Sequence, residues 1–353
     1  MTRVGIIGYG RFGEAFASLC LERGLTVAVH DPARRPPPDL EAGSLPDLAA
    51  RAEVVVLATP VPAFRHVLRG LKPFLGAAHR VVDVGSVKVR PMEVMEAELG
   101  DAVPWVGSHP LFGPVSLAQA ERPLRVVLCP HARHPAAAEA ARRLYGALGC
   151  EVLEQDPHAH DRAMARTHAL AFFVAKGLLD AGAGEGVEAP PPSFRALARS
   201  IELVRGDAGH LFRVLQMENP YAAQERRRLL GALQSVDRAL EEETRTPGRA
   251  PGADLDIASP AGPSADLQDT RDLIDAVDRE LLSLLERRSR LALRAARAKA
   301  ELGQGIQDPD REARLLAARR RWAEDRGLRP EAVEAMFQLI LEQSRTLQGG
   351  SPT

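Results

Sequence analysis

The sequence predicts a doubly wound α/β domain followed by two all-helical regions. Three observations carry this reading: β-like runs alternate with helical stretches through the first half, the β signal stops near Pro157, and a Pro/Gly/Ala-rich stretch sets off a last helical segment. The β-like runs are Val4 to Gly8, Thr26 to Asp31, Val54 to Ala58, Arg80 to Val84, Val103 to Ser108 and Arg125 to Cys129. Ala/Leu/Arg-rich helical patterns then cover His160 to Ala181, Pro192 to Gln216 and Pro220 to Glu243. The stretch Thr244 to Ala265 offers almost nothing apolar enough to anchor it, which predicts a flexible linker. Apolar residues then recur at helical spacing from Leu273 to Leu291, over a helix expected to run from near Asp266 to about Leu302. At roughly 1.5 Å per residue, that helix is too long for a compact monomer of about 85 residues, which predicts intertwined subunits. The expected divisions are 1–155, 156–243, the linker 244–265, and 266–348.

Bulk properties narrow the classes. The 353 residues, 45% of them hydrophobic, can supply a core for each region. A net charge of -1 gives no electrostatic reason to expect nucleic acid or an anionic membrane as partner. The cysteines Cys20, Cys129 and Cys150 are odd in number and lack Cys-x-x-Cys spacing, so neither a disulfide framework nor a zinc knuckle is indicated, and a reducing cytoplasm fits. The chain opens directly on a strand, and no apolar run approaches the roughly 20 residues that span a bilayer, so neither export nor insertion is expected.

The first motif is Gly8-Tyr9-Gly10-Arg11-Phe12-Gly13, which follows the strand VGIIG and opens a helix; Asp31 stands 18 residues after its last glycine, ending a second strand. In that context the pattern predicts a Rossmann-type dinucleotide site. Gly8 permits the tight turn, Gly10 lets backbone approach a pyrophosphate at the helix N-terminus, Gly13 allows close helix packing, and Asp31 accepts from ribose hydroxyls. A carboxylate there repels a 2′-phosphate, which favours NAD over NADP; Arg34 and Arg35 are the residues that argue the other way.

Two segments should reach the side of the sheet where ligands bind: Asp83-Val84-Gly85-Ser86-Val87-Lys88 and Gly107-Ser108-His109-Pro110-Leu111-Phe112-Gly113-Pro114. A histidine placed there can accept a hydrogen bond from a hydroxyl whose carbon loses hydride, or it can simply pack a loop. Together with Thr59-Pro60-Val61 and the pair His160-Asp161, these segments resemble the prephenate and arogenate dehydrogenase family over residues 3 to 240. The resemblance implies oxidative decarboxylation driven by aromatisation, with His109 drawing on the ring hydroxyl. It makes Ser86 a partner of that histidine or of the hydroxyl, Lys88 a weaker candidate, and Thr59 part of the cofactor site. His160 and Asp161 match the family pair, either in the site or only capping and orienting their helix. The chain departs downstream, where His168 and then Phe172 stand in place of Gln followed by His, or of a Ser-His pair. An arginine for the side-chain carboxylate falls among Arg205, His210 and Arg213, of which Arg213 is the candidate carried forward. His131, His134, His158 and His160 form two short pairs, but no nearby carboxylate or cysteine completes a ligand set, so no metal is expected.

In the last segment, Arg288 and Lys299 are 11 residues apart and share a helix face, while Arg311 and Glu312 open the next helix. That face suits a dianion, or it is merely a solvated cationic surface. The segments TRDLIDAVDRELLSLLERR, ARAK, QDPDREARLL, GLRPEAVEAMFQLI and EQSRTLQ resemble the all-helical chorismate mutase family without a gap over residues 266 to 348. The resemblance implies that Arg288 and Arg311 bind substrate carboxylates, with Arg271 reaching in from a neighbouring subunit. Lys299 and Gln348 would bracket the breaking ether bond, Asp308 and Glu312 would accept from the ring hydroxyl, and Ser344 would support a carboxylate. The combined expectation is a homodimeric cytoplasmic enzyme that makes prephenate from chorismate and oxidises it with NAD for tyrosine synthesis. The alternatives are an arogenate-preferring dehydrogenase with the same mutase, an unrelated hydroxyacid or imine reductase, and a metabolite-binding regulator without turnover.

Overall fold

A computed structural model describes residues 2–118, 123–206, 210–245, 263–301, 305 and 308–349. The chain divides into two compact units, Met1–Ile257 and Ala258–Thr353. The first contains both the sheet and the helical region that the sequence set apart from it. Residues 246–262, most of the expected linker, lie outside the described residues, while Thr244 and Arg245 still belong to a helix.

The sheet is built from β1 (Arg3–Ile7), β2 (Thr26–His30), β3 (Val54–Leu57), β4 (Arg80–Asp83), β5 (Trp105–Pro110), β6 (Leu124–Cys129) and β7 (Cys150–Glu154), in the order β2-β1-β3-β4-β5-β6-β7. All neighbours run parallel except β5 and β6. Helices α1 (Arg11–Glu22), α2 (Leu45–Arg51), α3 (Phe64–Leu71), α4 (Val89–Leu99), α5 (Pro114–Ala118) and α6 (Pro135–Ala147) connect them. Val54 and Val56 face one core with Phe16 and Leu144, while Val55 and Leu57 face the other with Phe64 and Met95. A strand covered on both faces reads as an unbroken apolar run, as VVVL does.

Two expectations are corrected here. The edge strand β7 was not anticipated, and β5 continues two residues further than expected. His109 and Pro110 therefore lie in the ladder, with His109 opposite Val127, rather than in a loop after a strand.

The helical region comprises α7 (Pro157–Met164), α8 (Leu170–Asp180), α9 (Pro192–Gly206), α10 (His210–Arg213) and α11 (Ala222–Arg245). Two of the expected continuous helices are interrupted. A π-helical turn, Ala165–Ala169, joins α7 to α8, and a second, Val214–Glu218, follows α10. Gln216 in the second turn donates through Nε2 to Ala169 O at 2.6 Å, satisfying a carbonyl where the regular helical bonding pattern shifts.

The second unit has three helices among the described residues, α12 (Pro263–Glu301), α13 (Pro309–Glu324) and α14 (Pro330–Gly349). Helix α12 starts three residues before the expected boundary and has 39 residues, about 58 Å of rise. Asp308 caps α13 by accepting from Arg311 N at 3.0 Å. Ile274, Val277, Leu281, Leu284 and Leu291 recur along α12 at helical spacing and are all exposed in a single chain.

Candidate active sites

In the first unit, the carboxyl ends of the central strands come level: Ile7 pairs with Leu57, Leu57 with Asp83, and Asp83 with Gly107. The order of strands reverses about β1, which has β2 on one side and β3 on the other, so the crevice between β1 and β3 is where such sheets bind ligands. Gly8 leaves β1 with φ +102°, and a Cβ there would stand 2.7 Å from Ala58 O. A Cβ on Gly13 would stand 2.0 Å from Gly8 O, so only glycine lets α1 approach this closely. Gly10 differs: its φ of -70° suits any residue and its missing Cβ would meet nothing within 4 Å. Backbone conformation and packing do not require glycine at that position, which leaves the approach of a ligand to the uncapped N-terminus of α1 as its physical use. Phe12 stacks on Phe16 beside this turn, and Arg11 begins the helix.

Asp31 anchors the glycine turn, accepting from Tyr9 N at 2.6 Å through Oδ2 and from Ala33 N and Arg34 N through Oδ1. Burial acts to raise its pKa, but the donors of Tyr9, Arg34 and Ala33 outweigh it and hold the carboxyl below its ordinary range. Arg34 and Arg35 face Glu14 and Glu41. The Thr59 Oγ1, beyond β3, is buried without a hydrogen-bond partner. An orphaned hydroxyl, an open glycine and uncapped helix amides fit the residues to a dinucleotide.

Beyond β4 and β5 lies a buried polar chain. His109 Nδ1 is 2.9 Å from His160 Nε2, and His160 Nδ1 is 2.8 Å from Asp161 Oδ1. Asp161 also accepts from Lys88 N at 2.7 Å and Val89 N at 2.9 Å, so its carboxylate neutralises the N-terminus of α4. These donors fix the tautomers. A carboxylate that only accepts receives the hydrogen bond donated by His160 Nδ1–H, His160 Nε2 accepts from His109 Nδ1–H, and His109 Nε2 is left with a lone pair. Burial first, then His160, Lys88 and His168, depress the His109 pKa well below 6.5. His168, on the first π turn, lies parallel to His109 with ring centroids 6.4 Å apart, and burial lowers its pKa too.

This narrows two expectations that the sequence left open. The partner of the His109 ring is His160, not Ser86; Ser86 is half-buried on the β4–α4 loop, where contact with a substrate hydroxyl is the role left to it. His160 and Asp161 do more than cap and orient their helix. Lys88 is enclosed, its ammonium meeting the Asp83 carboxylate and Ser108 O. Burial raises the Asp83 pKa against the pull of Lys88. Lys88→Met should therefore cost about 3–5 kcal/mol in urea unfolding by stranding a buried carboxylate, and adding Asp83→Asn should recover most of that. Equal stability of the single and double variants would refute this. Arg213 is exposed on the one-turn α10, and the side chain of Arg205 lies outside the described residues.

In the second unit, α12, α13 and α14 enclose a cavity of about 300 Å³. It is lined by five cations, Arg288, Lys299, Arg311, Arg319 and Arg345, against two carboxylates, Asp308 and Glu312. Such an excess of like charge in one cavity is stabilised by an anion. Arg288 donates to Ser344 Oγ at 2.6 Å, and its pKa is lowered by burial and then by Arg319. Gln348 Nε2 donates to Ala292 O at 2.9 Å. Glu312 is held by Arg345 at 2.8 Å. Every residue expected in this site lines the cavity except Arg271, which is exposed near the start of α12. Arg319 and Arg345 were not anticipated. Arg319 lies 4.2 Å over the Trp322 ring and its buried Nε has no partner. Helical spacing offered a signal for one of them, since Arg319 follows Arg311 by two turns.

Residues 270–349 match the profile of chorismate mutase type II. A chorismate mutase of Methanocaldococcus jannaschii is 30% identical over 82 residues, 23% of this chain and 83% of that protein. In this segment the chain belongs to the type II chorismate mutase family. Residues 40–154 match the nucleotide-binding domain of prephenate dehydrogenase, and residues 1–69 the NAD-binding domain of D-isomer specific 2-hydroxyacid dehydrogenases, so a nucleotide-binding segment of the kind found in dehydrogenases precedes the mutase segment. A probable arogenate/prephenate dehydrogenase of M. jannaschii is 25% identical over 183 residues, 49% of this chain; the chain spans 40% of that relative's length. The crystal structure of Aquifex aeolicus prephenate dehydrogenase with hydroxyphenyl propionate and NAD+ superposes with a TM-score of 0.57 at 21% identity, covering 69% of this chain and 92% of that one, which shows the shared fold.

Proposed function

We propose that the second unit rearranges chorismate to prephenate and that the first oxidises prephenate, with loss of its ring carboxylate, to 4-hydroxyphenylpyruvate. The observation that carries the first-unit reading is the chain Asp161–His160–His109, which leaves His109 Nε2 as an acceptor. That atom takes the proton of the ring hydroxyl, His160 and Asp161 spread the charge that develops, and Ser86 orients the hydroxyl. NAD, when bound, supplies the acceptor for the hydride leaving the same carbon. Gly8, Gly10, Arg11, Phe12 and Gly13 would cradle its pyrophosphate and Asp31 its ribose, with Thr59 at the mouth. Prephenate is preferred to arogenate in this reading because the second unit would supply it.

The cationic cavity carries the mutase reading. Arg288, Arg311 and Arg319 would bind carboxylates, Ser344 would position Arg288, Lys299 and Gln348 would stabilise the ether oxygen, and Asp308 and Glu312 would accept from the ring hydroxyl. No proton transfer is required: the site holds a compact conformer and stabilises charge. Arg271 and the uncovered stripe of α12 are explained together by a homodimer in which the long helices exchange. The three cysteines, none of them in a disulfide, suit the cytoplasm.

The test is NADH formation by the purified chain given chorismate and NAD, with residual prephenate quantified. NADH formation supports both readings. Prephenate accumulating without NADH would sink the NAD-dependent prephenate step, and unchanged chorismate would sink the mutase.

The depressed His109 pKa also predicts a stability profile. The unfolded chain takes up a proton near pH 6.5 that the folded chain refuses until lower pH. Stability is thus intact above 6.5 and falls below it, by at most about 1.4 kcal/mol per pH unit for one group. Melting curves from pH 8 to pH 5, a range chosen as roughly spanning the histidine transition, should show a steeper acid loss in the native chain than in His109→Asn. Parallel curves would refute it.

A further inference from the structure

The first unit gathers a further cluster, made of residues that belong to neither site above. Glu96 on α4 meets His131 and His134 on the loop between β6 and α6, and one ligand atom from each lies within 4.8 Å of the others. The sequence showed the His-x-x-His pair without a carboxylate; Glu96, 35 positions upstream of His131, supplies it, and the expectation of no ligand set there is corrected.

The cluster has unfilled bonding capacity. His134 is only 4% exposed, and its Nε2 has no hydrogen-bond partner. Glu96 Oε1 is held by Arg133 Nη2, while its Oε2 is buried without a partner. The Trp105 ring lies 4.8 Å from the His131 ring and 4.9 Å from the His134 ring, and its Nε1 is also buried and unpartnered. Buried polar atoms are nearly always satisfied, so three such atoms in one layer call for a polar occupant.

We propose that Glu96, His131 and His134 form a binding site for a divalent transition-metal ion, with Zn2+ the best match. Two imidazoles and one carboxylate are a zinc donor set, with water as the fourth ligand. The soft-to-borderline nitrogen donors select against Mg2+ and Ca2+, which favour oxygen ligands. Arg133 supports Glu96 from behind, and its own position is fixed by Asp101 at 2.8 Å. The hydrogen bond from His134 N to His131 O at 2.9 Å closes the turn that sets the two rings side by side. A bound ion would staple the far end of α4 to the β6–α6 loop, and α4 is the helix whose first amide is held by Asp161.

The proposal is tested by titrating the full chain, untagged, chelator-stripped and carrying Trp322→Phe, with Co2+. The chain has two tryptophans, so Trp105 alone then reports. Expected are quenching of Trp105 with one Co2+ per chain, displacement by Zn2+, and affinity weakened roughly tenfold or more in Glu96→Gln and in His131→Asn. Absence of Co2+ binding in the parent chain overturns the proposal, whatever the variants do. Binding that both variants retain at full affinity also overturns it, by placing the ion elsewhere.

Discussion

His109→Asn is expected to lower the dehydrogenase kcat by roughly 10²–10⁴, the usual contribution of a positioned general base, while mutase activity stays at its native level. Asparagine can occupy the same volume on β5, and its amide can still meet His160, but it cannot take a proton at the position of Nε2. His168 sits on a π turn with its ring centroid 6.4 Å from that of His109, so it does not stand in for the lost ring. Asp161→Asn should follow the same course more mildly. Its amide can donate toward His160 Nδ1 and so invite the other tautomer, which turns the acceptor end of the relay inward. A His109→Asn enzyme that kept more than about a tenth of native kcat would remove this histidine from the base role.

Arg288→Ala should cost the mutase roughly 10²–10³ in kcat/KM, with dehydrogenase activity on supplied prephenate unchanged. Arg288 is half-buried, donates to Ser344, and among the described residues has no carboxylate of its own to neutralise it. Its charge is thus free for a substrate anion. Arg288→Lys should rescue little, because an ammonium lacks the planar fork that meets a carboxylate with two donors. Ser344→Ala separates positioning from charge: a rise in KM with little change in kcat is expected if Ser344 only aims the guanidinium. Equal loss of both activities in Arg288→Ala would mean that the residue supports folding of the whole chain.

The sequence carried the parts of the fold that repeat. Buried parallel strands wrote themselves as apolar runs, and the glycine turn was legible because each glycine answers to a different steric demand. Strand β7 was missed because CEVLE, at the sheet edge, buries too little to read as a strand. The relay was half legible: the pair His160-Asp161 was visible, but its join to His109 spans 51 positions and depends on how α7 meets α4. Arg288 and Lys299 on α12 were readable because helical spacing puts them on one face, whereas Ser344 and Gln348 on α14 were legible through the family resemblance. Glu96 was invisible for the opposite reason, since no local period links a helix residue to a loop 35 positions on. The π turns leave no sequence period either, because they are a shift in hydrogen-bond partner rather than a pattern of side chains.

That last feature constrains how this protein can change length. Each π turn holds one residue more than the α-helix around it needs, so removing that residue would close the turn into regular α-helix and redirect the side chains within it while the flanking helix keeps its phase. Between Ala165 and Ala169 the exposed Arg166 and Thr167 can vary in identity, while the donation from Gln216 Nε2 fills the Ala169 carbonyl at the end of the turn. A homologue one residue shorter in this interval would turn a different side chain toward His109. A gap in an alignment there would mark a change of active-site architecture even where every aligned residue is the same.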